Sequence, residues 1–292
     1  MKKIIVPILL GVLFTFESKA QSYKSSGHEV GFSLGVANYL GDLSAQRGTW
    51  FFGEVRAKAF RPAVGLFYRN NFHKFLTFRT GLSIGEIYGN DKWALPESGR
   101  IARDLHFRSN IVDVSMMIEW NVLPYKIGDY KHKFTPYFGV GIAGVYYNPK
   151  AELNGQWVAL QPLGTEGQGL VEYPDRTKYS KMAFSIPASF GLKFNLGRLW
   201  AIGTEFQYRH TFVDYLDDVS SVYPNMDYYS NNYVQAVADE ARALSYRGNE
   251  ADLSNVEEMK RGNSSDNDAY FFIMINASFR IGNGKNNCPT FK

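Results

Sequence analysis

Apolar and small or polar residues alternate one by one from Val30 to Ala37, with Val30, Phe32, Leu34 and Val36 on one face and Gly31, Ser33, Gly35 and Ala37 on the other. Successive side chains of a strand point to opposite sides, so a period of two predicts a strand with one greasy face. The period then recurs seven times. Val64, Leu66 and Tyr68 alternate with Ala63, Gly65 and Arg69, although Phe67 interrupts the polar face. Leu76, Phe78, Leu82 and Ile84 alternate with Thr77, Arg79, Gly81 and Ser83, and Val112 to Trp120 alternate with Asp113, Ser115, Met117 and Glu119. Phe138, Val140 and Ile142 face away from Gly139, Gly141 and Ala143, as Phe190, Leu192 and Phe194 do from Ser189, Gly191 and Lys193. Ile202, Phe206 and Tyr208 oppose Gly203, Glu205, Gln207 and Arg209, and Phe271 to Ile281 oppose Phe272, Met274, Asn276, Ser278 and Arg280. Strands are expected at 28–37, 63–70, 75–88, 107–122, 135–147, 182–196, 199–210 and 269–282.

Eight is an even number and the smallest common size of a transmembrane barrel, and the strands are long enough for a tilted crossing of the hydrocarbon. The connections alternate in length. Residues 70–74, 124–133 and 197–198 are short, whereas 38–62, 89–106, 148–180 and 211–268 are long. Short turns on one rim and long loops on the other are the outer-membrane arrangement, with the short turns and both termini in the periplasm. The expected fold is therefore all-β: an eight-stranded antiparallel outer-membrane β-barrel, forming a single domain over residues 21–292.

A soluble lipocalin-like barrel also has eight strands, but its apolar face points inward around a ligand. Here the second face carries Arg79, Asp113, Glu119, Lys193, Glu205, Arg209 and Arg280. A charge facing lipid near the midplane costs roughly 2–4 kcal/mol, so these side chains belong inside as a mutually neutralising network. A barrel of this size is just wide enough for side chains to fill it, which predicts a plugged interior.

Composition agrees. Aromatic residues make up 16% of the chain while mean hydropathy is −0.27, as expected when lipid-facing and lumen-facing residues average out. Lys2-Lys3, an apolar run to Phe16, and Ser18 and Ala20 read as a signal peptide over residues 1–20, cleaved after Ala20. Cleavage removes three cations and one anion, taking the formal charge from +4 to +2, which gives no reason to expect nucleic acid. The single cysteine, Cys288, excludes a disulfide framework or a thiolate metal site.

The fourth long loop exceeds a plain connection. Asn232 with Gln235 resembles a capping box before a helix over 234–244, and Ser254 with Glu257 does so before a short turn of helix over 256–260. Short helices are thus expected in this last extracellular loop. His210 and Asp214 lie close in sequence at the top of the seventh strand and could serve a surface hydrolase, although a rim histidine is more often a packing residue. Asp214, Asp217 and Asp218 lack the glycine and terminal Glu of a calcium loop and read as a solvated acidic turn. No cofactor, metal or small-molecule substrate is expected. Gly41-Asp42 reads as the turn that ends the first strand, with a left-handed backbone and an Asx-type bond.

Six strings in series, "NYLGDLS" (Asn38, Tyr39, Gly41, Asp42), "RPAVGLFYRNNF", "FTPYFGVGI", "LQPLGTEGQG" (Gln161, Gly164, Glu166), "FVDYLDDVS" (Asp214, Asp217, Asp218) and "RGNSSDNDAYFF", resemble the outer-membrane family typified by PorG, a component of the type IX secretion system. The resemblance spans nearly the whole mature chain. It implies a non-enzymatic envelope component that sits among outer-membrane lipids and couples a periplasmic ring of PorK–PorN type to the outer membrane. The candidate contacts are then the 70–74 turn, the 283–292 tail and the basic, aromatic turn with Tyr125, Lys126, Asp129, Tyr130, Lys131 and Lys133. The same turn also reads as an interfacial belt. A surface hydrolase using His210 and Asp214, or a passive structural barrel, are the alternatives.

Overall fold

The computed structural model describes residues 27–44, 57–95, 98–128, 131–248 and 256–281. The proposed signal peptide, Asp129, Tyr130, Ser254, Cys288 and the 283–292 tail lie outside them. Ten strands follow in chain order: β1 (Gly27–Leu40), β2 (Arg61–Asn71), β3 (Leu76–Asn90), β4 (His106–Asn121), β5 (Phe134–Tyr146), β6 (Pro149–Leu153), β7 (Gln156–Ala159), β8 (Met182–Leu196), β9 (Trp200–Thr211) and β10 (Ala269–Ile281). Neighbours run β3-β2-β1-β10-β9-β8-β5-β4, and β3 pairs with β4 to close the ring. Every pairing is antiparallel. This is a closed eight-stranded barrel, with no free edge left to satisfy in lipid. The extra strands β6 and β7 form a hairpin in the third long loop, where the sequence reading expected only a connection. Its Asn154-Gly155 turn has both residues in the left-handed region that a two-residue hairpin needs.

The outer surface is the apolar face of each strand. Leu66, Val140 and Ile275 are about three-fifths exposed, and Phe32, Ile84, Met116, Phe190 and Ile273 also point outward. The other face is buried, and it is charged. Four cations, Arg69, Arg79, Lys193 and Arg209, share the lumen with four anions, Glu29, Asp113, Glu119 and Glu205. Glu119 is the hub: it accepts from Arg69 Nε at 3.1 Å, Arg79 Nη1 at 3.3 Å and Lys193 Nζ at 2.6 Å. Arg79 Nη1 also meets both oxygens of Glu205 at 2.6 and 2.7 Å. Nearer the long-loop end, Arg209 forks onto Asp113 at 3.1 and 3.2 Å, and the Tyr270 hydroxyl donates to the same carboxylate at 2.9 Å. Nearer the short-turn end, Asn71 Nδ2 donates to Glu29 Oε1 at 2.6 Å.

Arg69 and Arg79 stand directly opposite each other on β2 and β3, a pairing of like charges that is destabilising by itself. Glu119 and Phe67 offset it. The Phe67 ring, which had looked like a break in the polar face, is buried in the lumen with both guanidiniums against it at 4.4 and 4.6 Å. Space for that ring comes from Gly31, where a Cβ would fall 2.3 Å from Phe67 Cζ.

Sequence reasoning assigned Arg280 to this network and omitted Glu29 and Arg69. Arg280 instead lies half-buried at the short-turn rim, donating to the Ile127 carbonyl at 3.3 Å. Removing one partner of a buried ion network leaves uncompensated charge and typically costs about 3–5 kcal/mol. Glu119→Gln is therefore expected to lower the unfolding free energy of the folded barrel by about that much, read from denaturant titration in lipid vesicles. A change below about 1 kcal/mol, the range of an exposed pair, would show that the hub is not a hub.

Candidate functional site: the loop crown and the short-turn rim

The strand period fails at Asn38, but the strand does not end there. Asn38, Tyr39 and Leu40 continue the ladder opposite Phe271, Tyr270 and Ala269, and alternation is lost because both sides of β1 are covered. What covers them is a crown made by all four long loops. The expected turn is present over residues 41–44, with the Ser44 N–H donating to the Gly41 carbonyl at 3.0 Å, but Gly41 does not have the expected left-handed backbone. It is required by packing, since a Cβ there would lie 2.0 Å from both Asp268 Oδ1 and the Tyr39 hydroxyl. Asp42 is buried and accepts from the Asn263 backbone N–H at 2.7 Å, tying the first loop to the fourth.

The second loop contributes Arg100 and Arg103 from the helical turn Arg100–Arg103. Arg100 donates to the Asp42 and Ser44 carbonyls, and Arg103 forks onto Asp91 at 2.7 Å through Nε and Nη2 while reaching the Arg261 carbonyl. The third loop contributes Glu166, fully buried. It accepts from the Ser220 and Ser221 backbone N–H groups at 2.8 and 3.0 Å, from the Ser221 hydroxyl at 2.7 Å and from Arg261 Nη1 at 3.0 Å. The short turn of helix expected over 256–260 is instead a non-helical turn ending in a bridge from Lys260 to Val222, which leads directly into Arg261. Gln161 Nε2 donates to the Tyr179 carbonyl at 3.0 Å, and Gly164 has a left-handed backbone at φ +64°.

The helix expected in the fourth loop is present as Gln235–Ser245, packed through Ala238, Ala241 and Leu244. Its start differs from the capping-box reading. Val234 is the cap residue, and Asn232 ends a preceding helix, Tyr228–Asn232, with its amide accepting from Val171 N–H at 3.0 Å and donating to Glu172 at 2.6 Å.

Asp217 and Asp218 are not a solvated turn. Both are fully buried, and Asp218 Oδ1 accepts from the Tyr179 hydroxyl at 2.6 Å. The Tyr39 oxygen lies 2.7 Å from Asp217 Oδ2 and 2.7 Å from Asp268 Oδ1. A phenol has one hydrogen, so it donates to one carboxyl and the other must itself be protonated to donate back. Burial pushes the Asp217 carboxyl up to about 7 against the hydrogen bonds of Tyr39 and the Val219 N–H, and that of Asp218 up to about 6 against the pull of Arg261. Burial, then the charges of Asp217 and Asp214, push Asp268 well above the usual carboxylate range.

His210 and Asp214 lie in different surroundings. His210 sits between the fully buried Arg209 and Thr211 on the outward side of β9, its ring edge-on to Phe212 at 5.3 Å, whereas Asp214 is buried in the crown. Among the described residues no group of His, Cys, Asp and Glu has the arrangement of a metal site. A cleft of about 560 Å³ opens between Arg100, Arg103, Tyr223, Tyr246 and Lys260. Its guanidiniums are already committed to Asp91 and to loop carbonyls.

At the opposite end, Tyr125 does not face a partner. It is 2% exposed and, with Ile127, closes the short-turn mouth beneath Lys193, whose ammonium lies 5.2 Å from the Tyr125 ring. Lys131 and Lys133 are exposed, and Lys126 is half-buried.

A carboxyl whose folded pKa is raised favours the folded crown fully below its unfolded value near 3.9 and loses that contribution as pH rises through the folded one. For Asp218 and Asp217 the loss runs up to about 6 and about 7. Hydrogen exchange over 211–222 is expected to be slower, after correction for intrinsic rates, at mildly acid than at mildly alkaline pH. Asp217→Asn should flatten that dependence, and protection that grows with pH would contradict the assignment.

The profile of a family described as "Domain of unknown function (DUF6089)" matches residues 3–241. No curated protein matches the chain. Among solved structures, Neisserial surface protein A (NspA) aligns with 87% of this chain and 97% of its own at 8% identity and TM-score 0.42. Ail of Yersinia pestis, in complex with the heparin analogue sucrose octasulfate, aligns over 88% and 100% at 8% identity and TM-score 0.39. OprG of Pseudomonas aeruginosa aligns over 89% and 97% at 8% identity and TM-score 0.39. The barrel is defined by its own closed ladder rather than by these distant likenesses.

Proposed function

Given that the chain belongs to the DUF6089 family and folds as an outer-membrane β-barrel, we propose that it is a non-enzymatic component of the type IX protein secretion machinery, anchoring a periplasmic ring of PorK–PorN type to the outer membrane. Export through a cleaved 1–20 signal peptide belongs to the same reading. The observation that supports it is the filled lumen. Eight buried charges, balanced four against four, occupy the space through which a channel would conduct, so the barrel serves as a rigid fixture and not as a conduit. Its long-loop mouth is closed by the crown and its short-turn mouth by Tyr125 and Ile127.

The wide separation of roles between His210, packed on Phe212, and the buried Asp214 favours a non-enzymatic protein over a surface hydrolase. With Tyr125 turned inward, the surface left for a periplasmic partner is the tips of the short turns, around His73 and Lys131. The test is a deletion strain compared with its complemented parent by surface and periplasmic proteomics. Proteins bearing the system's C-terminal sorting domains are expected to leave the surface and accumulate in the periplasm. Unchanged export would make the chain a paralogue of the working component or a passive barrel.

A further inference from the structure

Charge is distributed very unevenly along the barrel axis. The fourth long loop, residues 212–268, holds twelve acidic against four basic residues, while the three short turns hold one acidic residue, Asp129, outside the described part. Among the described residues of the short-turn rim, Lys74, Lys131, Lys133 and Arg198 are exposed and Lys126 and Arg280 half-buried. The carboxylates at that end, Glu29 and Glu119, are both sealed in the lumen. The rim is therefore cationic although the mature chain is close to neutral.

The placement of these cations identifies what they meet. They occupy the β2–β3, β4–β5 and β8–β9 turns and the end of β10, so they are spread around the whole ring instead of forming one patch. The exposed cations sit close in sequence to apolar side chains of the lipid-facing surface. Lys74 lies between Phe72, 45% exposed, and Phe75, with its ammonium 5.1 Å from the Phe75 ring. Arg198 lies between Leu196 and Leu199, and Lys133 precedes Phe134, whose ring packs on Phe194 at 4.9 Å. Trp200 and Phe279, 5.0 Å apart, extend the same aromatic girdle. Aromatic rings mark the level of the membrane interface, and cations beside them lie at the depth of headgroup phosphates.

We propose that the short-turn rim binds anionic phospholipid headgroups, with phosphates held by Lys74, Lys133 and Arg198 and the acyl chains lying on the aromatic girdle above. The ring distribution and the contact of Lys74 with Phe75 favour lipid over a protein docked on one sector. This inference goes beyond the secretion reading and does not depend on it.

The test uses the mature chain folded in micelles doped with equal amounts of phosphatidylglycerol and phosphatidylcholine, with bound lipids counted by native mass spectrometry. A charge near a membrane surface contributes on the order of fivefold in affinity, so a preference for phosphatidylglycerol of at least roughly threefold is expected, shrinking as salt is added. K74Q/K133Q/R198Q should lose the preference while keeping the heat-modifiable gel migration of a folded barrel, and K74R/K133R/R198K should keep it. Equal retention of both lipids by the wild-type chain, or an unchanged preference in the glutamine variant, would overturn the proposal. Displacement of phosphatidylglycerol by inorganic phosphate beyond that caused by chloride at equal ionic strength would also overturn it, in favour of a free-phosphate site. So would a glutamine variant that keeps its lipid preference but loses an acidic periplasmic protein held by the wild-type chain.

Discussion

A carboxylate buried at the centre of an eight-stranded barrel is withdrawn from bulk solvent, and Glu119 is stabilised there by Arg69, Arg79 and Lys193, which reach it from three other strands. Such an arrangement constrains everything around it. Long cations need space, which is why glycine and serine share the inner face with them. The cations need one another held apart, which Phe67 achieves between two facing arginines. The anions in turn need a full set of donors, which Gln207, Asn276 and Tyr270 supply to Glu205 and Asp113. The ladder and the network specify each other, because a one-residue slip of any strand would turn its charges into lipid.

The same logic is repeated in the crown with loops in place of strands. Glu166 and Arg261 act there as Glu119 and Arg69 do below, joining the third loop to the fourth, and Arg103 carries the connection to the second. Backbone N–H groups and carbonyls supply much of the bonding, since loops have unpaired main-chain groups that strands do not. The Tyr39, Asp217 and Asp268 cluster joins the two layers. Tyr39 is the last inward-facing residue of β1, and its hydroxyl holds the base of the fourth loop over the lumen. A barrel so closed at both ends is suited to bearing load or holding position in a membrane.

Much of this was legible in the sequence, because the period of two is imposed by lipid on one side and packing on the other. Predicted strands differ from the observed ones by at most three residues at either end. The inner charges on β3, β4, β8 and β9 were readable for the same reason. Glu29 was overlooked at a strand end, where the apolar positions that frame it are fewer, and Arg69, although placed on the polar face, was left out of the network because Phe67 interrupts that face. The crown was much less legible. Asp217 and Asp218 read as solvated because a local acidic string carries no sign of the distant Tyr39, Tyr179 and Arg261 that bury it. The turn at Gly41 was legible but the reason for its glycine was not, since the atoms that require it belong to Tyr39 and to Asp268, the latter more than two hundred residues away. The β6–β7 hairpin did carry a signal, Asn154-Gly155 between short apolar alternations, that pattern reading over long strands passed by.

Whether the charge network truly fills the lumen is tested most directly by single-channel recording of the folded mature chain in a planar lipid bilayer. The account predicts a current that stays at the level of the bare membrane, with no stepwise openings. Discrete, reproducible conductance steps that scale with salt would contradict it, because ions would then be crossing the space assigned to Glu119 and its partners.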